Sequence, residues 1–123
     1  MILVDTSIWV DHLRAGDARL AEALDRAAVF VHPFIVGELA CGLLRNRSEL
    51  LRLLRGLPGV PAASDDEALD FIERHRLMGR GVGYIGVHLL VSAALSGGAR
   101  IWSRDRGLAE VAAELDLAHT PTS

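Results

Sequence analysis

Met1-Ile2-Leu3-Val4-Asp5-Thr6-Ser7 opens the chain: four apolar residues run without alternation into a carboxylate and two hydroxyls. A short unbroken apolar run suits a strand buried on both faces, as in a parallel sheet covered by helices. Asp5 then falls at the strand's carboxyl end, where open α/β sheets place their ligands. A buried strand in this position leads us to expect no signal peptide before it.

Working outward, helical and strand patterns alternate. Ile8, Trp9, Val10 and Leu13 trace a helix that Thr6 or Ser7 can cap and that ends near Gly16. Asp17 to Ala28 predicts a second helix, and Val29-Phe30-Val31 a second strand. Pro33 suits the first turn of a third helix, with Phe34, Ile35, Leu39, Leu43 and Leu44 on its apolar face. Ser48 is a candidate cap for a helix through Arg55, and Val60-Pro61 is at most an edge strand. Ser64 with Glu67 is a capping-box signature opening a helix through Leu69, Ile72 and Leu77. Gly79 to Gly86 reads as a loop, Val87 to Ser96 as helix, Ala99 to Trp102 as strand and Gly107 to Leu115 as the last helix. Leu117-Ala118-His119 is a weak final strand. The alternation predicts an α/β fold: a three-layer αβα sandwich around a parallel sheet of four to five strands, one domain over residues 1–123.

Composition narrows the chemistry. All thirteen basic residues are Arg, which excludes Schiff-base lysine chemistry and the phosphate-loop lysine. Cys41 stands alone, excluding a disulfide framework and a cysteine zinc site. Half the residues are apolar, yet no stretch is long enough to span a membrane, so a soluble cytoplasmic protein is expected. With a net charge of −3, any nucleic-acid contact must use local clusters such as Arg45, Arg47, Arg52 and Arg55. The five histidines lack i, i+4 ligand spacing. Gly81 to Gly86 spells a dinucleotide-type glycine pattern but follows a helix, where that pattern has no phosphate to cradle.

Three acids can meet at one sheet edge. Asp105 follows the strand ending at Trp102, and parallel strands send their carboxyl ends to one side. Glu38 lies about one and a half turns into the helix after the second strand, interrupting an apolar stretch, and should have a partner. Clustered carboxylates call for a cation, and an oxygen-only donor set points to Mg²⁺ or Mn²⁺.

The segments MILVDTSIWVDHLR, HPFIVGELACG, GVGYIGVHLLVSAAL and ARIWSRDRGLA, in that order, resemble the four signature regions of the PIN-domain family, most closely its VapC toxin branch. The resemblance implies a Mg²⁺-dependent endoribonuclease, the toxin of a toxin–antitoxin pair, restrained by a VapB-type antitoxin and forming a homodimer. It implies catalytic roles for Asp5, Glu38 and Asp105, metal contacts from Asp5 and Asp105, and support from Thr6, Ser7 and Ser103. The family's third acid has no counterpart: Tyr84-Ile85-Gly86-Val87-His88-Leu89-Leu90 keeps the aromatic, aliphatic and paired leucines, with Gly86 at the acid's place. The implied alternative is a fold that binds antitoxin or RNA without cleaving it. Apolar faces around Ile35, Leu39, Leu43 and Leu51 are the expected dimer surface.

Overall fold

The computed structural model describes residues 1–121. Its sheet has three strands, β1 (Ile2–Val4), β2 (Val29–Phe30) and β3 (Arg100–Trp102), in the order β2-β1-β3. Both pairings are parallel: Leu3 faces Phe30 on one side and Ile101 on the other. Side chains alternate between faces along a strand, yet Ile2, Leu3 and Val4 are all buried, so both faces of the sheet are covered.

The expected fourth and fifth strands shrink to single bridges at the two edges, Val31 with Gly59 and Ile101 with Ala118. Val31 exchanges backbone hydrogen bonds with Pro58 and Val60, and Ile101 with Leu117 and His119. Pro58 and Pro61 carry no N–H, so the first edge cannot lengthen into a ladder.

Among the described residues, seven helices surround the sheet: α1 (Thr6–Ala15), α2 (Ala18–Asp25), α3 (Pro33–Ala40), α4 (Arg47–Gly56), α5 (Asp65–His75), α6 (Tyr84–Leu95) and α7 (Arg106–Glu114). Several ends differ from the expectations. Asp5 itself occupies the α1 cap position, without a side-chain capping bond, which releases Thr6 and Ser7 for other work. Asp17 caps α2, which ends at Asp25, before Ala27 turns left-handed. Helix α3 stops at Ala40, leaving Leu43 fully exposed. Asn46, left-handed, precedes α4 in place of a Ser48 cap. The Ser64–Glu67 capping box forms on both sides. Helix α6 begins at Tyr84, three residues earlier than the glycine content suggests.

The core is continuous through the sheet and helices, with Leu3, Ile8, Trp9, Ile35, Leu54, Leu89 and Leu90 among its buried side chains. Ile35 and Leu39 belong to it and are unavailable to a dimer surface, contrary to expectation. Gly107 is required by packing: a Cβ there would stand 2.8 Å from the backbone carbon of Gly81 and closer still to its oxygen. Helix α7 can therefore start directly against the loop before α6. No helix among the described residues is long and apolar enough to cross a membrane.

Candidate active site

The parallel register brings the carboxyl ends of β1 and β3 together, and the side chains there lock. Ser103 Oγ donates to Asp5 Oδ2 at 2.6 Å, and Ser7 Oγ approaches the same oxygen at 3.2 Å. The Asp5 N–H donates to the Trp102 carbonyl at 2.9 Å. Asp5 is only 8% exposed, so these hydroxyls offset part of the cost of burying its charge. Ser103 Oγ also accepts from the Asp105 N–H at 2.9 Å, and Ser7 Oγ from the Arg104 N–H at 3.0 Å. Two hydroxyls thus hold the β3–α7 turn against the end of β1.

Thr6 reaches the other way, donating to Glu38 Oε1 at 2.8 Å. This is the partner expected for Glu38, although the glutamate is exposed on the outer side of α3. Asp105 caps α7, its Oδ1 accepting from the Leu108 N–H at 3.1 Å.

Asp5, Glu38 and Asp105 line one crevice of about 450 Å³, with Thr6, Ser7 and Gly86. The sequence-predicted residues therefore share one site, apart from Ser103, which supports Asp5 from below its wall. Arg104 also lines the crevice and was not foreseen; Asp11 and Asp17 hold its guanidinium. Its only sequence signal is its place between Ser103 and Asp105. Asp11 is accordingly ion-paired. Of the arginines singled out earlier, Arg47 binds the Ala40 carbonyl, and none of the four lines the crevice.

Gly86 is the third residue of α6 and forms part of the crevice wall. A side chain there would begin 3.0 Å from Val82 Cγ1 and 3.5 Å from Leu108 Cδ1. The donor set is right in kind for a hard divalent cation, carboxylate and hydroxyl oxygens without sulfur or imidazole. It is short in number. Among the described residues no three His, Cys, Asp or Glu side chains gather closely enough to hold an ion. One Asp105 oxygen caps α7, one Glu38 oxygen is bonded to Thr6, and position 86 offers no oxygen.

Two of the histidines cap or close local structure. His32 caps α3 through Nδ1, and His12 Nδ1 accepts from the Asp17 N–H. Burial, then the neighbouring His88, lowers the His32 pKa to about 4.

A model of the PIN domain matches residues 2–114. Ribonuclease VapC32 of Mycobacterium tuberculosis (strain ATCC 25618 / H37Rv) is 48% identical to the chain, covering 96% of it and 95% of the relative. VapC ribonuclease Mb1587 of Mycobacterium bovis is 33% identical, covering 85% of the chain and 87% of the relative. Ribonuclease VapC11 of Mycobacterium tuberculosis matches at the same identity and coverage.

Proposed function

The chain belongs to the PIN domain family and to its VapC branch, and from that premise we propose that it is an endoribonuclease toxin hydrolysing RNA phosphodiesters. The supporting observation is the crevice, which acids following β1 and β3 line together with an acid of α3 and the Arg104 guanidinium. Such a surface suits a substrate whose reacting group is a phosphate and whose attacking group is water.

Asp5 and Asp105 would hold Mg²⁺ or Mn²⁺, which when bound supplies charge to the phosphate and lowers the pKa of water. Glu38, steadied by Thr6, is placed to orient the attacking water and receive its proton. Ser103 and Ser7 hold the Asp5 carboxylate in its orientation. Arg104 is the lining group that can meet a phosphate oxygen. With Gly86 in place of a third acid, cation binding and turnover are reduced relative to a complete site.

A short single-stranded RNA incubated with Mg²⁺ should be cut slowly, and Asp5→Ala should abolish the cutting. Cleavage that Asp5→Ala leaves untouched would point to a contaminating nuclease and sink the assignment. Gly86 favours a second reading, in which the fold retains RNA and antitoxin binding without turnover. RNA binding with no metal-dependent cleavage at any concentration would select it.

The partners that accompany this reading are a VapB-type antitoxin, the RNA and a second copy of the chain, in the cytoplasm. An aliphatic groove lined by Val10, Leu13, Leu43 and Leu53, all exposed, is the surface best suited to another protein.

A further inference from the structure

Two groups of exposed apolar side chains stand out on this molecule. One is the aliphatic groove just named. The other adjoins the crevice: Phe34 on α3 is 38% exposed, and Tyr84 and Ile85 at the start of α6 are 43% and 38% exposed. Ile85 is itself a crevice residue. Phe34 precedes Glu38 by one helical turn, so the two share the outer face of α3, about 5–6 Å apart at their Cβ atoms.

The aromatic pair is held rigidly. His88, buried between them, has its ring centroid 4.9 Å from Phe34 and 4.7 Å from Tyr84, both edge-to-face. Phe34 also packs edge-on to His32 at 5.0 Å. The Tyr84 hydroxyl donates to Asp65 Oδ1 at 2.6 Å, and His88 Nε2 lies 3.3 Å from the same oxygen. Exposed aromatic surface costs free energy in water, and here the underlying packing prevents it from turning inward.

We propose that Phe34, Tyr84 and Ile85 form a stacking platform for a nucleobase of single-stranded RNA, next to the carboxylates of the crevice. The inference rests on the ribonuclease reading and adds where a base sits. A nucleotide pairs a flat apolar face with a phosphate, and the protein exposes two aromatic rings beside the crevice, Phe34 one helical turn from Glu38 and Tyr84 next to the crevice residue Ile85. The Asp65 carboxylate that accepts from Tyr84 repels phosphate, whereas Arg104 on the crevice wall attracts it. Stacking on aromatic rings is the usual way proteins hold unpaired bases and tolerates any base. An aliphatic partner helix would instead favour the Leu43 groove.

The test uses a short single-stranded oligoribonucleotide containing a fluorescent purine, with Mg²⁺ and with EDTA in parallel. The unaltered chain should bind it and quench the purine. Phe34→Leu with Tyr84→Leu should weaken binding roughly 5- to 100-fold and remove the quenching, while Tyr84→Phe retains both. An abasic oligonucleotide should bind both proteins equally weakly. For a check that needs no variant, thiouridine-substituted RNA irradiated with the unaltered chain should cross-link to Phe34 or Tyr84. Unchanged binding and quenching in the double variant, or cross-links confined elsewhere, would overturn the platform alone. A double variant that keeps RNA but loses a protein partner would assign the patch to protein contact and overturn it too. No RNA binding by the unaltered chain would overturn the platform together with the ribonuclease reading.

Discussion

Ser103 Oγ lies 2.6 Å from Asp5 Oδ2, joining residues 98 positions apart at the ends of adjacent parallel strands. The same hydroxyl accepts the Asp105 N–H, so one atom ties two acids to one frame.

Removing that hydroxyl should loosen both. Ser103→Ala leaves a buried carboxylate oxygen with a weaker partner and frees the Asp105 N–H, at a cost of about 1–3 kcal/mol. Urea unfolding should show a lower midpoint with an unchanged slope. RNA cleavage should fall further than stability alone accounts for, and Ser103→Thr should recover most of both. An alanine variant as stable and active as the parent would mean the bond carries nothing.

Gly86→Asp should strengthen cation binding. The position is in the first turn of α6 and on the crevice wall, where the helix dipole favours a carboxylate by about 0.3–1 kcal/mol. Val82 must yield by a few tenths of an ångström, so net stability without metal should change by less than about 1 kcal/mol. Calorimetric titration with Mn²⁺ should give at least tenfold tighter binding, and cleavage should rise with it. Equal binding by the two forms would remove position 86 from the list of ligand positions.

Acidification should weaken the fold through His32. Burial lowers its pKa from the ordinary 6.5 to about 4, so between these values the unfolded chain binds the extra proton. Stability is then full above about pH 6.5, falls as pH drops towards 4, and levels off for this group below that. The whole effect is on the order of 3 kcal/mol. Asp65, held low by the Tyr84 hydroxyl and then by His88, adds a loss of the same sign as pH falls below its ordinary 3.8. His32→Asn keeps a capping side chain, and its melting temperature should vary less between pH 6.5 and 4. Parallel pH profiles for the two proteins would show that His32 stays solvated or protonated.

Leu43 is fully exposed beside Val10, Leu13 and Leu53. Leu43→Asp should leave thermal stability within about 0.5 kcal/mol of the parent, because the side chain contributes nothing to the core. Light scattering should show reduced self-association, or titration should show reduced antitoxin binding. A variant unaffected in both would release this groove from any protein contact.

Residue order alone carried much of this protein. The apolar run before Asp5, the Ser64–Glu67 cap and the alternation of patterns follow from local chemistry, so the parallel α/β architecture and the strand-end positions of Asp5 and Asp105 were legible. Strand order is implicit in no single segment, but parallel direction is enough to send carboxyl ends to one edge. What only the tertiary structure decided depends on contacts between distant segments. Thr6 and Ser7 looked like helix caps because their hydroxyls can serve a local N–H; instead Thr6 donates to Glu38 of α3 and Ser7 accepts from the Arg104 N–H, 97 positions away. Arg104 reads as one more surface arginine until Asp11 and Asp17 draw it onto the crevice wall. Ile35 and Leu43 carry similar hydropathy, yet one is core and the other bare, because α3 ends between them. Hydropathy prescribes that an apolar side chain seek cover; where the chain turns decides whether it finds any.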